Sequence, residues 1–206
     1  KYRAVTQSIF TDLLIKGEII EDLRPNLYDP VEGTTIADAE VKRITRKTKL
    51  AHIRWRLEDG NEIIISTTRP ELICACGVIL VHPEDSRYRD LIGRNVSLPI
   101  KVEGRSDKVK ILSHPSVKMD FGSGVLMVCS YGDQNDVSVF RELKLEPFQA
   151  IDLEGRMTEV AGPLEGMLVL DARLAALDIL SADGRLEGLE EREQEIPVSE
   201  RGENPI

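Results

Sequence analysis

Apolar residues recur at helical spacing near the start of the chain, where Val5, Ile9 and Leu13 share a face with Phe10 and Leu14. That period predicts an amphipathic helix over residues 3–16, with Gly17 as its stop. Residues 22–35 are rich in Pro, Asn, Asp, Gly and Thr and read as loop. The runs 50–57 and 61–66 flank Asp59-Gly60, a strong hairpin signal. The second run leads into Ser66-Thr67-Thr68-Arg69-Pro70-Glu71, where Pro70 suits the first position of a helix. Apolar runs at 77–81, 95–100, 108–112, 124–130 and 147–151 predict further strands, and helices are expected over 86–92, 135–143 and 167–180. Many short strands with few helices between them point to an α+β fold, a barrel-like β core with peripheral helices, and not to a doubly wound sheet. There is no internal repeat.

Composition narrows this picture. A chain of 206 residues can bury one sizeable core, and 4% aromatic content makes that core aliphatic. No run approaches the roughly 20 apolar residues of a membrane span, and no signal peptide opens the sequence, so the expectation is a cytoplasmic monomer with no membrane partner. Cys74, Cys76 and Cys129 form no even framework, which fits a reducing compartment. Cys74-x-Cys76 is too tight for a usual zinc knuckle, and no metal site is expected. The net charge of −9 argues against a nucleic-acid footprint over a whole face. The charge is uneven, however. Lys42, Arg43, Arg46, Lys47, Lys49, Arg54 and Arg56 fall in one stretch free of acids, while residues 181–206 are strongly acidic. Such a strip suits a local polyanion contact, with a solvated strand face as the plain alternative.

Two segments could carry chemistry. In Ser66–Glu71, two threonine hydroxyls, a guanidinium and the free N–H groups of a helix start suit a phosphate or ribose contact, or ordinary capping. In the second, Phe121-Gly122-Ser123-Gly124 precedes an apolar strand and then Tyr131-Gly132-Asp133-Gln134-Asn135-Asp136. The glycines permit close backbone approach to a ligand. Asp133 and Asp136, three apart before a helix, can cap it or hold a substrate ammonium. His52, His82 and His114 sit in unrelated contexts, Ser123 lacks a nucleophile-elbow setting, and no P-loop or dinucleotide fingerprint is present.

The pairing of Thr67-Thr68-Arg69-Pro70-Glu71 with Phe121-Gly122-Ser123-Gly124 and Tyr131–Asp136 resembles the editing domain inserted in class I aminoacyl-tRNA synthetases for valine, isoleucine and leucine. Ala37–Val41, His82–Tyr88 and Leu91-Ile92-Gly93 look like the valine branch, and Pro197–Gly202 is similar to the return to the catalytic domain in archaeal-type members. Both ends read as cuts from a longer protein. The resemblance divides the chain into a connecting helix and loop at 1–40, an editing domain at 41–190 and a return linker at 191–206. It implies hydrolysis of the ester joining a wrong amino acid, threonine, to tRNA(Val); the alternatives are an isoleucyl-type domain clearing Val-tRNA(Ile) and a non-catalytic tRNA-binding insertion.

By the same resemblance, Asp136 grips the substrate ammonium with Asp133 beside it, and Thr67 and Thr68 complete the catalytic group. Arg69, Leu72, Gly124, Met127 and Cys129 line the substrate site. Arg43, Arg46 and Lys47 are the expected tRNA contacts, and the partners are the 3′ end of tRNA(Val) and the rest of the synthetase in cis. No cofactor is implied for this segment, since ATP and Mg2+ serve the catalytic domain and no HIGH-like or KMSKS-like signature occurs. Many relatives carry Thr, Lys, Thr and His where Leu72, Met127, Cys129 and Gly132 stand, and Cys-x-x-Cys for zinc where Tyr28-Asp29-Pro30-Val31 stands. These departures leave Cys129 and Asp133 to read the threonine hydroxyl and predict no zinc.

Overall fold

The computed structural model describes residues 2–21, 25–102 and 104–206; the first part of the expected loop, 22–24, lies outside the described residues. The opening helix forms as α1 (Tyr2–Ile15), and Gly17 follows with φ +74°. Its apolar stripe is exposed throughout and packs on none of the described residues closely enough to be buried. Two short strands, β1 (Leu27–Asp29) and β2 (Thr34–Ile36), pair antiparallel within the expected loop.

The hairpin at Asp59-Gly60 pairs β3 (Val41–Leu57) with β4 (Glu62–Thr67), from Arg56↔Glu62 to Ala51↔Thr67. Gly60 takes φ +85°, the left-handed conformation the turn requires. After a buried six-residue 3-10 helix at Pro70–Ala75 come β5 (Cys76–Val81), β6 (Asn95–Ser97), β7 (Lys108–Ser113) and β8 (Val125–Cys129). Then follow α2 (Gln134–Glu142), α3 (Val169–Ala182) and β9 (Leu186–Ser199). The sheet order is β4-β3-β6-β7-β5-β8, with β9 pairing along β3. Only β5 and β7 run parallel; the other named pairs are antiparallel. The sheet curls until β8 touches β4 without a ladder between them, which gives the barrel-like core.

Burial follows the strand period. Ala51, Ile53, Trp55 and Leu57 point inward from β3 and meet Ile63 and Ile65 of β4. Strand β5 is buried on both faces, with Ile79 and Val81 in the barrel core and Val78 and Leu80 under α2 with Val139 and Phe140. A Cβ on Gly77 would stand 2.5 Å from Phe140 Cζ, so glycine lets α2 lie against β5.

Four further expectations change. Strand 95–100 stops at Ser97, ahead of Pro99. Helix 86–92 reduces to a 3-10 turn at Arg89–Leu91, because the Asp85 carboxylate binds the Arg87 N–H and side chain and favours successive turns. Residues 147–151 supply only the bridge Ile151↔Met157. The acidic tail is the outer strand β9, so residues 191–199 lie inside the sheet, with Lys47 opposite Glu193 and Lys49 opposite Glu191. Cross-strand charge pairing explains why so polar a segment holds an extended form. Among the described residues no helix is long and apolar enough to cross a membrane.

Candidate functional site

Strand β4 ends in a turn tied by Thr67, whose Oγ1 accepts the Arg69 N–H at 3.0 Å. Pro70 opens the 3-10 helix at its first position, as its missing donor favours. That helix is buried along its length, which carries the Glu71 carboxylate inside with no solvent exposure. An unpaired charge there would cost several kcal/mol. Two guanidiniums offset it. Arg173 of α3 donates from Nε to Oε2 at 3.0 Å and from Nη2 to Oε1 at 2.8 Å, and Arg69 donates from Nε to Oε1 at 3.3 Å. The other arm of Arg69, Nη1, donates to the Gly132 carbonyl at 3.0 Å.

The Gly132 turn leads into α2. Asp133 is the N-cap of this helix, its Oδ1 accepting the Asp136 N–H at 2.8 Å. Tyr131 before it adopts φ +52°, a strained conformation for an aromatic residue, with its ring centroid 6.1 Å from that of Phe140. Asp136 lies in the first turn of α2 with its side chain turned inward. Its Oδ2 accepts the Cys129 N–H at 3.1 Å, and no described residue donates to Oδ1. The carboxyl is pushed up to about 7 by burial first and by the neighbouring Asp133 second, against the downward pull of the Cys129 N–H and Arg69. A Cβ on Gly132 would stand 2.6 Å from Asp136 Oδ2, so glycine lets the carboxylate lie directly against the turn.

Behind the carboxylate the wall is apolar. Leu72, Met127 and Cys129 are buried in one cluster, and Cys129 Sγ donates to the Leu72 carbonyl at 3.3 Å. Burial holds the Cys129 thiol well above its ordinary value, so it stays neutral. Ser130 adds a further tie, its N–H reaching the Ala75 carbonyl at 2.9 Å. Asp133, Asp136, Arg69, Thr67, Leu72 and Cys129 are therefore joined through one set of contacts between the β4 end and the turn after β8. Thr68 is half-buried in the same turn. A poised carboxylate beside a guanidinium and an apolar wall can pair a cationic head while apolar atoms fill the space behind it.

Other expected residues lie elsewhere. Gly124 sits at the opposite end of β8, five residues from Cys129 and so about 16 Å away along the strand. A Cβ there would meet Arg87 Nη2 at 2.5 Å and the Met119 carbonyl at 2.8 Å, and one on Gly122 would meet Ser66 Cβ at 2.8 Å. Both glycines therefore let the backbone lie close to protein atoms. Arg43, Arg46 and Lys47 lie on the part of β3 paired with β9 alone, four to eight residues from Ala51, or about 13–26 Å along the strand.

Glu71 ends the Ser66–Glu71 segment with no role evident from the sequence, and Arg173 has none either. Arg173 borders the buried Ala172, Ala176 and Leu180 stripe of α3, the one local hint that it faces inward. Two histidines also have partners unseen in the sequence. His52 Nδ1 meets Ser66 Oγ at 2.8 Å, and His114 bridges Ser116 Oγ at 2.6 Å and Glu142 Oε2 at 3.3 Å. Ser66 points to the face of β4 opposite Thr67, and the Ser116 N–H also binds His114 Nδ1, so these are a strand cross-link and a turn.

The curled sheet and its helices have the fold of the editing domains of class I aminoacyl-tRNA synthetases. A solved CP1 editing domain of a leucyl-tRNA synthetase, GlLeuRS-CP1, superposes with a TM-score of 0.54 at 13% identity, covering 67% of this chain and 97% of that one. No protein-family model matches the chain. The sequence is 41% identical over 207 residues to the valine–tRNA ligase of Aeropyrum pernix and 40% identical over 207 residues to that of Nanoarchaeum equitans, in both cases over 100% of this chain. The ligase of Thermoplasma acidophilum is 39% identical over 202 residues, 98% of the chain. The chain spans about a quarter of the length of these relatives: 25%, 27% and 25%. Over its whole length the chain is thus similar to one segment of the archaeal valine–tRNA ligases, and it has the fold of a CP1 editing domain.

Proposed function

We propose that the chain hydrolyses threonine from mischarged tRNA(Val), acting at the 3′ end of the tRNA and in cis with the rest of the synthetase. The observation that carries this reading is Asp136, a buried carboxylate near neutrality, braced against the Arg69 turn. An aminoacyl ester presents an ammonium group, and a carboxylate already out of water is its natural clamp. Asp133 adds negative charge beside it. Water adds to the ester carbonyl, the negative charge on that oxygen meets the Thr67 and Thr68 hydroxyls and backbone N–H groups, and the acyl–oxygen bond then breaks. Threonine leaves with a free carboxylate, and the terminal ribose recovers its hydroxyl. Arg69 faces the terminal nucleotide, while Leu72 and Met127 bound the side-chain pocket. Arg43, Arg46 and Lys47 steer the tRNA from the β3–β9 ribbon. No cofactor enters this step.

Editing is needed because an apolar pocket rejects an isostere bearing an extra hydroxyl by only about 10²-fold, a figure that belongs to valyl-tRNA synthetases themselves. A second site that hydrogen-bonds that hydroxyl, here through Cys129 and Asp133, favours threonine over valine, which offers no such partner, and so spares the correct product. Deacylation of Thr-tRNA(Val), Val-tRNA(Val) and Val-tRNA(Ile) tests the reading. Selective loss of threonine is expected. Preferential clearance of Val-tRNA(Ile) would point to isoleucyl-type editing, and tRNA binding with no hydrolysis of any substrate would point to a non-catalytic insertion.

A further inference from the structure

We infer that Glu71 and Arg173 are positioning residues, which hold the Arg69 guanidinium on the Gly132 carbonyl and so let α3 set the turn that carries Asp136. Glu71 is wholly buried, and its two oxygens receive three donors from two arginines that reach it from different elements. Arg173 is the donor to Oε2, from 102 residues along the chain. The planar fork of Arg69 is consequently divided: Nε is committed to Glu71 Oε1 and Nη1 to Gly132 O. A guanidinium anchored from two sides cannot swing, which is the geometric use of arginine that lysine does not supply. The Gly132 carbonyl it grips follows Tyr131, whose φ of +52° persists only when the surroundings over-determine it.

The division depends on Arg173. Without it, Oε2 of the buried Glu71 has lost its donor. The strongest replacement is a bidentate pair with Arg69, which rotates the guanidinium onto both carboxylate oxygens and off Gly132. The turn then loses its external tie, and the Asp136 carboxylate, packed against Gly132, loses its position. Removing the Glu71 charge as well cancels that pull, because a neutral amide competes weakly for Arg69. The double variant should therefore behave better at the site than Arg173→Met alone. A residue that acted only through global stability would show costs that add.

The activity part of the test rests on the function proposed above; the spectroscopic part does not. In the full 206-residue chain, Arg173→Met should shift the backbone amide resonances of Tyr131–Asp136 and the Arg69 Nε–H resonance while the rest of the spectrum stays dispersed. It should lower kcat for threonyl deacylation by about 10- to 10²-fold, the scale of a small misplacement, with KM changed less. The double variant Glu71→Gln/Arg173→Met should return both readouts toward wild type. Arg173→Lys, which keeps the charge with one donor at a time, should fall between and serves if the Met variant does not fold. Unmoved 131–136 amides in a folded Arg173 variant, or a double variant worse than either single one, overturns the inference. If wild type itself fails to deacylate, the proposed function falls while the amide shifts still decide the positioning role.

Discussion

Asp136→Asn should make the protein more stable at pH 8 and destroy its activity at the same time. The side chain keeps its shape, and its oxygen can still accept the Cys129 N–H. What is removed is a buried negative charge. The Asp136 carboxyl stands at about 7 against an ordinary 3.8, mainly through burial. That difference corresponds to about 4 kcal/mol of penalty on the ionised form. The folded value lies above the unfolded one, so the folded chain binds the extra proton between roughly pH 4 and pH 7. The stabilising contribution of the protonated group is therefore fully present below about pH 4 and is lost as pH rises through about 7. At pH 8 the asparagine variant escapes most of this net penalty, but its buried amide N–H groups lack acceptors, leaving a gain of about 1–3 kcal/mol. For a domain of this size that is about 3–10 °C in Tm. Near pH 4 the advantage should shrink toward zero. Thermal unfolding at both pH values, with threonyl-tRNA deacylation on the same samples, provides the assay. An asparagine variant less stable than wild type at pH 8, or equally favoured at both pH values, would refute the reasoning. A gain in stability coupled to loss of activity is the expected mark of a strained functional residue.

Further outcomes follow from the same contacts. Gly77→Ala should cost about 1–3 kcal/mol in urea unfolding, because its Cβ would press on Phe140 Cζ from 2.5 Å and displace α2; deacylation should fall with it, since α2 carries Asp136. Reversing Arg43, Arg46 and Lys47 together to Glu should weaken tRNA binding at low salt and flatten its salt dependence; unchanged affinity would leave these residues as partners of β9 alone. Cys74, with its thiol pushed up to about 11, Cys76, at about 12, and Cys129 are all buried and should resist a thiol reagent in the native chain, reacting only on unfolding. A fast-reacting thiol in the folded protein would contradict their burial.

Local chemistry was legible, and distant pairing was not. The hairpin at Asp59-Gly60 declares itself because a two-strand turn needs little beyond its own residues. Pro70 marks the start of its helix for the same reason, and Asp133 marks the start of α2. Strand β9 stayed hidden because its glutamates have no apolar period; the basic residues of β3, more than a hundred residues earlier, make an extended form favourable there. The basic strip was visible as charge, but not the acids that face it. At Gly122 and Gly124 the backbone lies close to Ser66 and Arg87, which no local pattern brings near. Asp136 stood out through its motif. The depth of Glu71 did not, because what makes a buried glutamate tolerable is Arg173 on a helix whose own sequence shows only an alanine-rich stripe.

The function proposed for Asp136 depends on where a substrate ammonium goes. A non-hydrolysable threonyl-adenosine amide, bound to the protein and resolved crystallographically, measures this directly. The expected complex has the ammonium nitrogen about 3 Å from an Asp136 oxygen and the adenosine against Thr67–Arg69. An ammonium lying in solvent or against another acid, with Asp136 still bonded only to Cys129, would contradict the account.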